Sequence, residues 1–248
     1  MKPITSRNDA FGLEMWACYK GGPPFEIVER DDGYIDAANS TGQYFAEFKD
    51  WPERQKRGMK FVRGDNALDV GCGAGRVSLF LQSKGIHVTA IDSSPLAVRI
   101  SKKRGVKKAR VVPFEGIERI RENGFTTVVM FGNNFGLFAN VRKAKRLLKR
   151  LHRMTTERAV LIAETANPYR TTNPLHRQYQ RRNRQRGRMG GQLRIRIRFQ
   201  SIATPWFDFL SVSPNEMKHI LTGTGWKVTR FIEGGKRSYV AVIEKVTA

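Results

Sequence analysis

The sequence predicts an α/β protein built on a mostly parallel sheet, and three observations carry that expectation. From residue 67 onward, short apolar runs alternate with stretches of helical length, the pattern of strands joined by covering helices. A glycine-rich turn stands where the first of these runs meets the first helix. Two final runs, separated only by Glu233-Gly234-Gly235, are close enough in sequence to pair antiparallel at the C-terminal end.

Each element follows in order. Residues 26–36 contain two short, partly alternating runs around Asp32-Gly33, a dipeptide suited to a tight hairpin turn. Residues 41–57 read as a helix, with Tyr44, Phe45, Phe48 and Trp51 clustered on one side until Pro52 disturbs the pattern. The runs 67–70, 88–91, 110–112, 127–131 and 159–163 read as strands, with helices at 76–84, 95–104, 117–122 and 141–155. Ser213-Pro214-Asn215-Glu216 opens a further helix with Ser at the N-cap, Pro in the first turn and Glu three residues after the cap. Residues 226–232 and 238–244 supply the last two strands, which makes seven from residue 67 onward.

A chain of 248 residues holds one substantial core, so one catalytic-sized unit with additions is expected. Two cysteines, Cys18 and Cys72, build neither a disulfide framework nor a zinc site, which fits a reducing cytoplasm. No apolar run approaches the length of a membrane span, and the first residues lack a signal-peptide core. The formal net charge is +23, and residues 1–66 carry 10 basic against 11 acidic side chains, so all of the excess lies beyond them. Such a field favours anionic partners such as RNA, DNA or phosphorylated metabolites. A lineage-wide bias towards basic proteins would give the same number.

The run Leu68-Asp69-Val70-Gly71-Cys72-Gly73-Ala74-Gly75-Arg76 sits where a strand must turn sharply into a helix. Glycines there let the backbone approach a ligand closely. A nicotinamide-type G-x-G-x-x-G fingerprint would place its third glycine one position later. Asp92 ends the next apolar run at about the 20-residue offset expected of a carboxylate that accepts from ribose hydroxyls. It also suits the N-cap of the following helix.

Read as G-x-G-x-G with Asp69 two residues upstream, this segment resembles the first motif of class I S-adenosylmethionine-dependent methyltransferases, and Ile91-Asp92-Ser93-Ser94-Pro95 resembles the second. The likeness covers roughly residues 61–245. It implies a Rossmann-like three-layer sandwich, with a mostly parallel seven-stranded sheet and an antiparallel C-terminal strand. It implies S-adenosylmethionine as cofactor, with Asp69, Gly71, Cys72 and Gly73 around its methionine end and Asp92 with Ser93 at the ribose. Where the family commonly sets an Asp or Asn against the adenine amine, this chain has Phe114-Glu115. Glu115 could accept that hydrogen bond and Phe114 pack on the ring; surface-loop and core roles are equally open.

The fourth strand runs into Gly132-Asn133-Asn134-Phe135-Gly136, and ligands of open parallel sheets sit beyond the carboxyl ends of the strands. Asn133 and Asn134 offer donors and acceptors that could orient a polar acceptor or the cofactor carboxylate; an Asx turn with no ligand is the alternative. The loop has neither the Asn/Asp-Pro-Pro-aromatic run of enzymes that methylate base amines nor the cysteine used on carbon 5 of pyrimidines. On position, Asn133, Asn134, Glu164, His176 and Tyr179 are the catalytic candidates; no metal ligand set is expected.

Residues 167–212 form a long connection with ten arginines and one acidic residue, Asp208, and long loops in compact domains are often lids or binding elements. Within it Arg194, Arg196 and Arg198 alternate with apolar residues, so a strand would place three guanidinium groups on one face. The expected organisation is an N-terminal cap for substrate recognition (1–60) and a methyltransferase domain (61–248) bearing the Arg-rich lid (167–212). The expected activity is methyl transfer to a small or anionic acceptor. RNA as acceptor, or a non-catalytic nucleic-acid-binding protein that keeps the fold, are the alternatives.

Overall fold

The apolar runs fold as strands and the stretches between them as helices, in a computed structural model that describes residues 4–5, 7–23, 25–38, 41–235 and 237–246. The chain opens with α1 (Ala10–Tyr19), β1 (Glu26–Arg30), β2 (Ile35–Ala38) and α2 (Glu53–Met59). It continues through β3 (Asn66–Val70), α3 (Arg76–Ser83), β4 (His87–Asp92), α4 (Pro95–Lys103), β5 (Ala109–Val111), β6 (Phe125–Met130), α5 (Val141–Met154) and β7 (Thr155–Ala166). It closes with α6 (Pro174–Gln185), β8 (Gln192–Phe199), β9 (Ile202–Ala203), β10 (Phe207–Leu210), α7 (Pro214–Leu221), β11 (Trp226–Glu233) and β12 (Ser238–Lys245).

The principal sheet has seven strands in the order β11-β12-β7-β6-β3-β4-β5. Pairs β4–β5 and β6–β7 are parallel, and β12 runs antiparallel to both of its neighbours, as the sequence predicts for the C-terminal end. A second sheet runs β10-β8-β1-β2, with β9 paired to β8. Its β1–β2 hairpin is the one expected around Asp32-Gly33, with Glu26 opposite Ala38 and Glu29 opposite Ile35.

The chain divides into two compact units. The first comprises Met1–Trp51, Leu68–Gly116 and Arg194–Phe207, the second Pro52–Ala67, Ile117–Leu193 and Asp208–Ala248. In the first, α1 is tied to α4 by one carboxylate. Asp9 caps α1 by accepting from the Gly12 amide at 2.9 Å, and its other oxygen accepts from Ser94 Oγ at 2.8 Å and the Leu96 amide at 3.1 Å. A β-carbon at Gly12 would lie 2.6 Å from Leu96 Cβ, so these helices meet where only glycine fits.

The expected helix over residues 41–57 is broken. Residues 41–44 and 48–50 form two 3₁₀ turns, Trp51 is extended, and only α2, after Pro52, is α-helical. The aromatic residues that suggest a helical face pack without one: Phe48 stacks on Phe80 at 4.1 Å between ring centres, and the Trp51 indole donates to the Ala46 carbonyl. The helix expected at 117–122 is likewise a 3₁₀ segment, Phe114–Arg119, kinked at Gly116.

In the second unit, α5 buries Ala144, Leu147, Leu148, Leu151 and Met154 along one face and carries its basic residues on the others. Helix α7 has the capping box that the sequence predicts: Ser213 Oγ accepts from the Glu216 amide while the Glu216 carboxylate accepts from the Ser213 amide. Strand β12 is buried from Tyr239 to Ile243, the apolar centre of this unit. Among the described residues no helix is long and apolar enough to cross a membrane.

Candidate functional site

The turn after β3 is left-handed at alternate residues, with φ of 71° at Gly71, 53° at Gly73 and 83° at Gly75. The amides of Gly71 and Cys72 both donate to the Ile91 carbonyl, at 2.9 and 3.0 Å, and the Gly73 amide donates to Asp92 Oδ2 at 2.9 Å. The turn is thus folded onto the end of β4. The glycines have different reasons to be there. A β-carbon on Gly73 would stand 3.3 Å from the Tyr44 ring and 3.8 Å from Met15 Sδ, whereas one on Gly75 would collide with Val106 at 2.6 Å. Gly73 leaves room beneath Tyr44 and Met15; Gly75 serves packing against Val106.

Asp92 is 7% exposed, and its oxygens accept from the backbone amides of Gly73 and Ser94, each at 2.9 Å, with Ser93 adding to them. A carboxylate has about four acceptor positions, so capacity for a further donor remains. Burial pushes its pKa up to about 6 against the opposing amide hydrogen bonds. Asp69, 2% exposed, accepts from Ser78 Oγ at 2.7 Å, and burial likewise raises it to about 6. The Arg76 guanidinium, 4.4 Å above the Trp51 ring, works in the opposite direction on Asp69. Ser93 is half-buried beside Asp92. The Cys72 side chain instead packs among Ala90, Val98, Val106 and Ala109, where burial drives its thiol far above the usual range.

The exit of β5 is bound to the same strand end, because the Val112 amide donates to the Asp92 carbonyl at 2.8 Å. Phe114 and Glu115 follow, the first buried and the second half-buried. Asp69, the Gly71–Gly73 turn, Asp92, Ser93, Phe114 and Glu115 therefore belong to one unit, on the strand ends β3, β4 and β5. Sequence reasoning missed the residues that face the turn from the N-terminal segment, Met15 on α1 and Tyr44 beyond it, and with them Glu14 on α1, which accepts from Thr41. Tyr44 packs edge-on against Phe11 at 5.4 Å, and its hydroxyl donates to Glu26 at 3.4 Å. The composition of α1 hides it, since its residues are apolar on every side and show no helical period.

The second unit holds the remaining candidates. Asn133 stands in the left-handed region at φ 62°, its carbonyl accepts from the Gly136 amide, and its Oδ1 is buried without a donor. Asn134 begins a 3₁₀ turn (Asn134–Phe138) that ends at Ala139, also left-handed at φ 65°. Two of the three non-glycine residues with positive φ among the described residues thus fall in this segment, a concentration of strain found at functional sites. A β-carbon on Gly136 would stand 2.2 Å from Phe209, so the second glycine of this loop is a packing residue.

Glu164 is 2% exposed and fully engaged: Oε1 accepts from Arg54 at 2.6 Å, and Oε2 accepts from Gln55 and from the Gly132 amide, each at 2.7 Å. It fixes the start of the asparagine loop. His176 and Tyr179 lie on α6, where Tyr179 is buried and His176 half-buried. Helix α6 went unnoticed in the sequence although Asn173-Pro174 is a helix-start signal: Asn173 Oδ1 accepts from the Leu175 amide at 2.9 Å.

The Arg-rich connection is structured. Arg194, Arg196 and Arg198 are on β8, and in the first unit Glu29 on β1 takes a bidentate pair from Arg196, at 2.8 and 3.0 Å, and a further bond from Arg198 at 2.8 Å. These guanidinium groups hold the Glu29 carboxyl below its usual pKa. Arg196 also lies 4.5 Å from the Trp206 ring centre. Two of the three arginines expected to form a binding face therefore lock the second sheet. The exposed basic surface lies on α6 instead, at Arg177, Arg181, Arg182 and Arg184.

Residues 67–158 match the profile of a family described as a methyltransferase domain. A Bacteroides fragilis S-adenosylmethionine-dependent methyltransferase, solved with S-adenosylhomocysteine, superposes with a TM-score of 0.83 at 23% identity, covering 99% of this chain and 98% of that one. A tRNA (uracil(54)-C(5))-methyltransferase of Pyrococcus horikoshii is 28% identical over 115 residues, 46% of this chain and 26% of that protein. A ubiquinone biosynthesis O-methyltransferase of Xylella fastidiosa is 39% identical over 53 residues, 21% of this chain and 22% of that protein. The chain spans about a quarter of the length of the curated relatives it matches.

Proposed function

We propose, from a methyltransferase domain housed in the class I S-adenosylmethionine-dependent methyltransferase fold, that this chain transfers a methyl group from S-adenosylmethionine to a small or anionic acceptor. The observation that carries the reading is the hydrogen bond from the Gly73 amide to Asp92, which joins a turn with left-handed glycines at alternate positions to a buried carboxylate with acceptor capacity left. The residues present fit the cofactor. Asp92 would accept from ribose hydroxyls, the Gly71–Gly73 turn would border the methionine end above Asp69, and Phe114 with Glu115 would flank the base. When bound, the cofactor supplies an electrophilic methyl on a sulfonium; the chain's task is alignment of the acceptor and removal of its proton.

Calorimetry with S-adenosylmethionine tests the reading. Binding by the wild type and its loss in Asp92→Ala are expected; no binding, or equal binding by the variant, refutes it. The same measurement separates an enzyme from a non-catalytic protein of this fold, which would bind nucleic acid and ignore the cofactor. Labelled methyl offered with small-molecule, RNA and protein fractions of a cell extract is expected in the small-molecule fraction.

RNA is the second reading, favoured by the exposed arginines of α6. If it holds, RNA affinity falls steeply with salt and the slope shrinks when Arg177, Arg181 and Arg182 are changed to Ala together. Carbon-5 chemistry of the kind named for the Pyrococcus relative is disfavoured, because burial raises the pKa of both thiols, Cys18 and Cys72. Two free cysteines accord with a reducing compartment, and we assign the protein to the cytoplasm, which cell fractionation checks.

A further inference from the structure

One buried carboxylate beside the glycine turn has no role in the cofactor cradle. Glu14 on α1 is 1% exposed; Oε1 accepts from Thr41 Oγ1, while Oε2 is buried with no hydrogen-bond donor. A buried acceptor left unsatisfied is costly, and native proteins keep such groups chiefly where a ligand or catalysis needs them. Its neighbour in sequence, Met15, and the Tyr44 ring are the two side chains that face Gly73. Glu14 is thus one residue removed from the wall of the turn, within the same unit.

The surroundings define what the free oxygen would take. Glu26 on β1 adds repulsion to Glu14, and burial, with Glu26, Glu14 and Asp92 adding to it, holds the Tyr44 hydroxyl neutral. Cys18 on α1 feels Glu14 as well, and its thiol is kept protonated. Arg104, packed on the same turn, spends its guanidinium on the carbonyls of Tyr44, Phe45 and Ala74. In a chain of net charge +23 this is a locally acidic cluster. It repels an anionic group and attracts a cationic one that donates hydrogen bonds.

We propose that Glu14 receives the reacting nitrogen of the methyl acceptor, that the acceptor is an amine, and that Oε2 takes the proton from its ammonium form. The proposal rests on the methyltransferase reading above and narrows its acceptor to one whose reacting end is an amine, whatever charge its remainder carries. One N–H bond breaks and its proton goes to Oε2. The freed lone pair forms the N–C bond to the cofactor methyl as the C–S bond breaks and its electrons stay on sulfur. Burial, eased by the Thr41 hydrogen bond, raises Glu14 to about 8, close enough to an alkylammonium for the transfer to be nearly balanced.

The test uses the intact chain, labelled S-adenosylmethionine, and the small-molecule fraction of a cell extract, either untreated or with its amines acetylated by acetic anhydride. Wild type should label the untreated fraction only. Glu14→Gln should bind the cofactor as wild type does in calorimetry and lose transfer by about 100-fold or more. Thr41→Val, a second variant should the first not fold, should move the inflection of the rate to higher pH by removing the hydrogen bond that lowers Glu14. Labelling that survives acetylation, a Glu14→Gln rate equal to wild type, or an inflection unmoved in Thr41→Val overturns the inference. Loss of cofactor affinity in Glu14→Gln overturns it too, since the carboxylate would then hold the cofactor. Failure of the wild type to bind S-adenosylmethionine removes the underlying reading as well.

Discussion

The two units differ in how they partner buried carboxylates, the second with a guanidinium and the first without. The first carries 17 basic and 12 acidic residues, and four of the acids, Asp9, Glu14, Asp69 and Asp92, are buried without an ion pair among the described residues. Their donors are hydroxyls and backbone amides, and burial raises the pKa of three of them, Glu14, Asp69 and Asp92. The second unit carries 28 basic and 10 acidic residues, and its one buried carboxylate, Glu164, is closed by Arg54, Gln55 and a backbone amide. The difference teaches where to look for ligands. A carboxylate saturated by its own chain holds structure, whereas one kept partly unsatisfied holds capacity for something brought in.

The largest effect that would sharpen this contrast is on stability. Glu164→Ala leaves Arg54 and a loop amide without their acceptor and should cost about 3–5 kcal/mol in chemical denaturation; a loss below about 1 kcal/mol would erase the distinction. Asp92→Ala should behave in the reverse sense. Its cost to folding should be about 1–2 kcal/mol for the abandoned amides, while cofactor affinity in calorimetry falls by about 100-fold, roughly 2.7 kcal/mol.

The pH dependence of unfolding comes next. Glu14 is raised to about 8, and Asp69 and Asp92 to about 6, so the folded chain keeps protons that the unfolded chain has already released. Their contribution is full below the unfolded values and is lost as pH rises, first through 6 and then through 8. Glu14→Gln should flatten the upper part of that decline in a series of melting curves. The smallest effect is expected on the exposed face of α6, where Arg181→Glu with Arg182→Glu should change stability by no more than about 0.5 kcal/mol. A large loss there would mean that these arginines are structural after all.

Much of the proposed cofactor cradle, and separately one helix of the second unit, was legible because its signals are local. The Asp69 to Arg76 turn, Asp92 and the capped helix α7 each announce themselves within a few residues, through backbone demands that only certain side chains meet. What escaped depends on partners distant in sequence. The arginines of β8 look like a binding face until Glu29, some 167 residues earlier, neutralises two of them. Glu14 gives no local signal, since its partner Thr41 lies 27 residues on and the rest of its helix is apolar or small. The aromatic cluster at 44–51 misleads for the complementary reason: its spacing imitates a helix, but Phe80 and the extended Trp51 backbone set its geometry.

The early third glycine, by which the loop is distinguished from a dinucleotide fingerprint, answers to Val106 and Ser101 rather than to the face that would meet a cofactor. Positions 75, 101 and 106 therefore constrain one another in packing. A lineage that trims Val106 gains room for a β-carbon at 75, although the left-handed backbone there still resists one. The signature used to assign this loop is, at that position, inherited from the wall of the fold, and it could outlive the loss of the cofactor.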